Sequence, residues 1–457
     1  MTAMNMPDLT KKDTSQPFEL EVIGRMLIFK KLKQSIEKSS FVRSVSILAA
    51  GTALSHLFIF LSTPILTHLY TPEEFGVLSV YLAILYSVTS VASLLYEQAI
   101  PLPKDEDEGF HLLVLSLVIV IFMSMFVLMG GLILPLDEWF HIPELKETIW
   151  LLAISLLGIG WFQAFNSWAI RQEEYKVISK SKVSMNTGQV VSQISLGLYY
   201  PSYLGLLVGE VVGRISGFLS FWTLLKNKNM PSFKRVTLKG LKNVTIRYKK
   251  FPLISSWSAV INSAGVQMPT FFLAATYGAE TAGLFLLAQK ILTVPEGLLG
   301  YSVSQVYLSQ SAQHFRSSPD QFSSLFWKTL KKMAIVSFII IGLIIIIAPF
   351  LISLVFGEEW TEAGKYLQVL SMLYFFRMVV KPIGANFHVL EYQQYEIISE
   401  VIRFLLICLS MLLSYLYIES PAGAILCICL LTSIGYIVYG FFAWLAMKKR
   451  LRTSQAI

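Results

Sequence analysis

Apolar residues fall in long, nearly unbroken runs, not in the alternation of a half-buried strand or the single stripe of a soluble helix. Twelve runs can be drawn, at about 44–68, 75–100, 111–134, 148–170, 183–200, 204–225, 251–275, 281–308, 329–355, 365–389, 396–418 and 422–447. At 1.5 Å per residue, roughly 20 such residues cross about 30 Å of hydrocarbon. Lipid leaves the backbone only two solutions, helices or closed barrels, and these runs are too long and too continuously apolar for barrel strands. The pattern predicts an all-α polytopic membrane protein of about 12 transmembrane helices. A soluble helical protein would need polar faces that these runs lack.

The polar links between runs are short, and the longest, 226–250, divides the runs into two sets of six. We therefore expect a cytoplasmic N-terminal extension over 1–43, a six-helix lobe over 44–225 and a basic cytoplasmic linker over 226–250. A second six-helix lobe follows over 251–447, then a basic tail over 448–457. The extension carries no cleavable signal pattern. Its stretch from Phe18 to Ile36 mixes apolar residues with lysines and reads either as a helix lying on the inner leaflet or as a mobile tail.

Composition agrees: 54% of the chain is hydrophobic and 14% charged, with mean hydropathy +0.61, against about 25% charged in soluble domains. The basic residues set the orientation. Of 37 Lys and Arg, 30 fall in the extension, tail and alternate links on one side, and only Lys146 and Lys365 on the other. The positive-inside rule puts both termini in the cytoplasm. The net charge of +8 is then a topology device that also meets anionic lipid heads, and no nucleic-acid partner follows from it. Cys408, Cys427 and Cys429 lie inside apolar runs and form neither a disulfide framework nor a zinc spacing.

The halves resemble each other. Tyr70-Thr-Pro-Glu73-Glu-Phe-Gly76 follows span 1 and Tyr277-Gly-Ala-Glu280-Thr-Ala-Gly283 follows span 7, offset by 207. Glu138-Trp139 corresponds to Glu359-Trp360 at offset 221, and Asn166 and Tyr175 to Asn386 and Tyr395 at offset 220. An offset of six spans preserves orientation, so the repeat is parallel, about an axis along the membrane normal. Two such bundles are suited to rocking around a central site.

Five basic residues remain inside spans: Arg214, Lys290, Arg377, Lys381 and Arg403. Each is costly in lipid and marks a candidate site. In span 10, Tyr374, Arg377, Lys381 and His388 recur at helical spacing. Two readings stand: an anion site for a phosphate-bearing substrate, or cations paired with Glu400 or Glu97 or snorkelling to the interface. Glu210 and Arg214 are spaced to pair within their own helix, and Glu400 and Arg403 likewise. Lys290 reads as a cavity cation near Pro295. Glu97, Glu400 and His56 are candidates for a coupling ion. Span 2 shows a polar face of Tyr86, Ser90, Ser93 and Glu97, span 5 one of Asn186, Gln189 and Gln193, and span 7 one of Ser255, Ser258 and Asn262. These faces suit either helix–helix hydrogen bonding or a sugar-lined interior. No Walker loop, zinc spacing or nucleophile elbow is present, so neither enzyme chemistry nor a cofactor is expected.

Several segments are similar to a known family. They are Tyr96-Glu97-Gln-Ala-Ile-Pro-Leu-Pro-Lys104, Asn166-Ser-Trp168-Ala-Ile-Arg171-Gln-Glu-Glu-Tyr175, Gln289-Lys290-Ile-Leu-Thr-Val-Pro295 with Ser304-Gln305-Val306, and Gly357-Glu-Glu-Trp360-Thr-Glu-Ala363. Over roughly 41–447 the chain resembles the bacterial oligosaccharide (O-antigen type) flippases of the multidrug/oligosaccharidyl-lipid/polysaccharide exporter superfamily. The resemblance implies twelve helices in two lobes in the bacterial inner membrane. It also implies transfer of undecaprenyl-pyrophosphate-linked oligosaccharide repeat units to the periplasmic leaflet, for O-antigen, capsule or exopolysaccharide. The implied partners are that lipid-linked substrate, membrane lipids, a polysaccharide polymerase and a chain-length regulator. Glu97, Arg171, Lys290 and Pro295 match the family pattern, although members often carry Arg where this chain has Lys290. Three rivals remain: a drug/cation antiporter of the same superfamily, which would favour acidic cavity residues; a polymerase, which would need a sizeable periplasmic loop; and an assembly scaffold.

Overall fold

The computed structural model describes residues 40–221, 231, 235–300, 303–304, 306–308, 310–311, 314 and 319–455. The Phe18–Ile36 segment and the start of the expected linker lie outside the described residues. The first six spans are α1 Ser40–Leu69, α2 Pro72–Thr89, α3 Glu106–Ile133, α4 Ile149–Arg171, α5 Tyr175–Tyr199 and α6 Tyr203–Leu219. A polar helix, α7 Leu238–Arg247, precedes the second set: α8 Ser256–Pro295, α9 Pro319–Phe356, α10 Thr361–Val380, α11 Gln393–Tyr417 and α12 Pro421–Gln455. Gly278, at φ 90° and ψ 174°, breaks α8 into two spans. Only glycine adopts that backbone without strain, which completes six plus six. Among the described residues there is no strand.

Local chemistry sets the helix starts. At α2, Thr71 accepts from the Glu74 N–H, Glu74 returns a carboxylate to the Thr71 N–H at 2.9 Å, and Pro72 fills the first helical position. At α3, Asp105 caps and three acidic residues occupy the first turn, where the helix dipole favours them. Among the described residues, seven helical stretches are long and apolar enough to cross a membrane. On α3 and α9 the large apolar side chains point outward, with Phe126 72% and Phe350 77% exposed. Only a lipid surround makes such faces stable. The chain is a multi-pass membrane protein.

Two predicted spans are interrupted. The span expected at 75–100 stops being α-helical at Thr89. The chain then turns through Leu94 and Leu95, both left-handed, into a 3-10 turn, Tyr96–Ala99. Ser93 and Glu97 therefore do not extend the α2 face that carries Tyr86. The span expected at 365–389 breaks after Val380 into a 3-10 turn, Lys381–Gly384, and a short helix, Ala385–Val389. Pro382 lacks the N–H that a continuing helix would use.

The two lobes repeat one another. α5 packs on α6 as α11 packs on α12, α3 on α4 as α9 on α10, and α4 on α6 as α10 on α12. The turns out of α4 and α10 share one hydrogen-bond pattern. Gln172 N–H donates to Trp168 O, Glu173 to Ile170 O and Glu174 to Ala169 O. Leu390, Glu391 and Tyr392 donate likewise to Asn386, His388 and Phe387. Glu173 and Glu391 are both left-handed. Every residue of this set is displaced by 218 positions, as are the starts of α5 and α11. The structural equivalent of Asn386 is therefore Trp168, not Asn166, and the offset of 220 read from matching side chains is two too many.

The lobes meet chiefly where α2 lies against α8, and the repeat explains that contact. A Cβ on Gly76 would sit 2.0 Å from Ala279 O, and one on Gly283 would sit 1.8 Å from Pro72 O. Pro72 and Ala279 are themselves related by the 207-residue offset. The contact is thus reciprocal, the signature of a two-fold axis between equivalent surfaces. Trp360 reinforces it from α10's entrance: its indole N–H donates to Thr67 O at 3.0 Å and its ring meets Phe75 edge-on at 4.8 Å.

Candidate functional site

The charges inside the expected spans collect in two groups, one in each lobe. In the first lobe, Arg214 Nη2 lies 2.8 Å from Glu210 Oε2, with both side chains under a tenth exposed. The same nitrogen donates to Tyr86 OH at 3.2 Å, and Gln189 donates to the other Glu210 oxygen. The i,i+4 pair read from sequence therefore forms, held between α2, α5 and α6. Tyr86 also offers its backbone carbonyl to Ser263 Oγ of the other lobe at 3.3 Å. This group reaches the interface.

In the second lobe, Arg377 Nε lies 2.7 Å and Lys381 Nζ 3.5 Å from the same oxygen, Glu296 Oε1. Their pairing partner is neither Glu400 nor Glu97 but a carboxylate at the exit of α8. Arg377 also stacks over Tyr374, 5.3 Å from its centroid. His388 leaves this face, because the helix breaks at Lys381, and lies 3.5 Å from Glu396 instead. Arg403 forms a neighbouring node. It pairs with Glu400, donates to Tyr436 OH at 2.7 Å and to Asn262 Oδ1 at 3.4 Å. Tyr436 lies within electrostatic reach of both Arg377 and Arg403.

Lys290 faces the first group from the other lobe. It stands on α8, its ammonium 5.3 Å from the ring centroid of Phe75 on α2, a cation–π distance, and Glu210 is within electrostatic reach. The remaining candidates fall elsewhere. Gln193 donates to Leu206 O at 2.9 Å, so with Gln189 it stitches α5 to α6. Asn186 is buried, and Asn262 is exposed beside Arg403. Glu97 is buried and accepts from Ser93. His56 is exposed on α1, near Lys182. The Arg171 guanidinium donates to Ile100 O, Pro103 O and Asp105 O at 3.1, 2.7 and 2.9 Å, clamping the loop that ends span 2.

Glu296 and Tyr436 were not singled out from the sequence. The signal for Glu296 was present: an acidic residue directly after Pro295, inside an apolar run.

Two lobes of six helices, joined by a reciprocal contact, define a two-lobed helical membrane fold. The same fold is seen in an inward-facing multidrug resistance MATE family transporter of the MOP superfamily (TM-score 0.70, 14% identity, covering 89% of this chain and 99% of that one). It is also seen in lipid II flippase MurJ in an inward closed conformation (TM-score 0.67, 14% identity, 88% of each chain). Residues 65–365 match the family described as polysaccharide biosynthesis protein, and the chain belongs to that family. Among its relatives, teichuronic acid biosynthesis protein TuaB of Bacillus subtilis (strain 168) is 25% identical over 243 residues, 53% of this chain and 49% of TuaB. Lipopolysaccharide biosynthesis protein WzxC of Escherichia coli (strain K12) is 23% identical over 326 residues, 70% of this chain and 64% of WzxC. The chain thus matches about half the length of the first relative and just under two thirds of the second.

Proposed function

We propose that this protein is a flippase carrying undecaprenyl-pyrophosphate-linked oligosaccharide repeat units from the cytoplasmic to the periplasmic leaflet of the bacterial inner membrane. The transfer proceeds by alternating access and serves surface polysaccharide assembly. The observation that carries the reading is a group of cations inside the expected spans: Arg377 and Lys381 converge on one carboxylate of the second lobe, and Lys290 lies against Phe75 at the α2–α8 contact between the two pseudo-symmetric lobes. Such cations offset the desolvation of an anionic head, while the lipid tail stays in the bilayer. With both termini in the cytoplasm, an inside-negative potential favours outward transfer of the head by about 2.3 kcal/mol per charge per 100 mV. In that orientation the Gly76–Gly283 contact closes the periplasmic end, and the expected boundaries at 44–225 and 251–447 delimit the moving lobes. A polymerase and a chain-length regulator would receive the product. A drug/cation antiporter shares the fold, but its substrates call for carboxylates without matched cations, whereas Glu210, Glu296 and Glu400 are each paired here.

The test is a deletion strain complemented by wild type or by Arg377→Ala/Lys381→Ala at equal membrane abundance. Deletion is expected to abolish surface polymer and to trap lipid-linked repeat units in the cytoplasmic leaflet, with rescue by wild type alone. Polymer that persists in the deletion strain would overturn the flippase reading. Full rescue by the double variant would overturn the site.

A further inference from the structure

Glu296 holds two cations with one carboxylate. Arg377 Nε and Lys381 Nζ converge on Oε1 alone, so the cluster keeps a formal charge of +1. A guanidinium presents five N–H donors, and the ion pair with Glu296 is made at Nε alone. The Glu296 side chain is 10% exposed and Lys381 56%. The carboxylate therefore sits at the back of the group and the lysine at its open side.

We propose that Glu296 is a built-in stand-in for the anionic head: a carboxylate that occupies the Arg377–Lys381 cations when no head is present. It is displaced by a group bringing at least two negative charges and paired phosphate oxygens. The physiological identity of that group rests on the flippase reading; the displacement chemistry does not. Two further observations support it. Glu296 opens a π-helical turn, Glu296–Gly300, directly after Pro295. Such turns depart from regular helix and recur at functional sites, and Glu296, itself at φ −60° and ψ −48°, stands where the α-helix gives way to one. Charge supplies the selectivity. A monoanion offers the cations no more than the carboxylate it must expel. A diphosphate matches both cations and grips the guanidinium through two oxygens. In the empty state the carboxylate spares the membrane interior two unpaired cations, which would be costly there.

The experiment uses full-length protein in phosphatidylcholine nanodiscs at about pH 5.5, where orthophosphate carries about one negative charge and pyrophosphate about two, with these two inorganic anions as probes and calorimetry as readout. Wild type is expected to bind pyrophosphate more tightly than orthophosphate. Glu296→Gln is expected to tighten pyrophosphate by about tenfold, the effect of removing one competing charge at a few ångström, and orthophosphate by more, so that the preference between them narrows. Adding Arg377→Ala should erase the gain. The proposal is overturned if Glu296→Gln binds pyrophosphate no better than wild type, or if the gain survives Arg377→Ala. A readout on wild type alone guards against a misfolded variant: pyrophosphate should raise the thermal unfolding midpoint and equimolar orthophosphate should not, and equal shifts would overturn the proposal. A strain whose polymer is independent of the protein would remove the flippase reading while leaving this binding result standing.

Discussion

Replacing Gly283 with alanine tests the idea that the α2–α8 contact holds one end of the molecule shut. The added Cβ would lie 1.8 Å from Pro72 O, 2.8 Å from Gly76 N and 2.9 Å from Pro72 C. All three are backbone atoms, so no side chain can rotate away. Tolerable C···O contact begins at about 3.3 Å, so the helices must part by roughly 1.5 Å. Overpacking of this kind costs about 1–3 kcal/mol. The penalty falls only on the state in which the two glycines touch, so it shifts the balance between closed and parted lobes by about 5–150-fold. Spin labels at Glu138→Cys and Glu362→Cys, both exposed and on opposite lobes, report that balance in a background where Cys408, Cys427 and Cys429 are replaced. Gly283→Ala is expected to add a longer-distance population. Gly342→Ala, where nothing lies within 4 Å of the new Cβ, is expected to leave the distances unchanged. An unchanged distribution for folded, monodisperse Gly283→Ala would refute the reasoning.

Other outcomes follow from the same geometry. Arg214→Ala leaves Glu210 buried and unpaired, and is expected to cost about 3–5 kcal/mol, read as a lower unfolding midpoint; adding Glu210→Gln should recover much of it. Trp360→Phe removes the indole N–H from Thr67 O while keeping the ring beside Phe75, and is expected to weaken lobe closure by about 1 kcal/mol in the same spin-label assay. Arg171→Ala releases three carbonyls at once. It is expected to speed hydrogen exchange and proteolysis over 100–105, with the α-helical core unchanged by circular dichroism.

Much of the architecture was legible because lipid imposes strong, local rules. A run of apolar residues must be helical wherever it crosses, so spans could be counted from composition alone, and the asymmetry of Lys and Arg supplied an orientation to propose. The Tyr70–Gly76 and Tyr277–Gly283 repeat was visible as sequence, yet its meaning was not. Only the folded chain shows that Gly76 and Gly283 pack reciprocally against Ala279 and Pro72, because a two-fold contact is a relation between distant segments. The register of the second half of the repeat was misread by two residues for a related cause. Hydrogen-bonded turns preserve backbone position, whereas the matched side chains, Asn166 with Asn386 and Tyr175 with Tyr395, do not.

Within the candidate site, pairs close in sequence were read directly. Glu210 with Arg214 and Glu400 with Arg403 lie one turn apart, and helical geometry alone brings them together. Glu296 lies 81 residues from Arg377 and 85 from Lys381, so no local spacing announces the cluster. The sequence alone supplied the apolar runs and the charges that lie inside them, since both follow from transfer free energies of single residues and short runs. Tertiary structure alone decided which carboxylate neutralises which cation and which glycines let the lobes touch, since both depend on how helices remote in the chain are brought to within a few ångström.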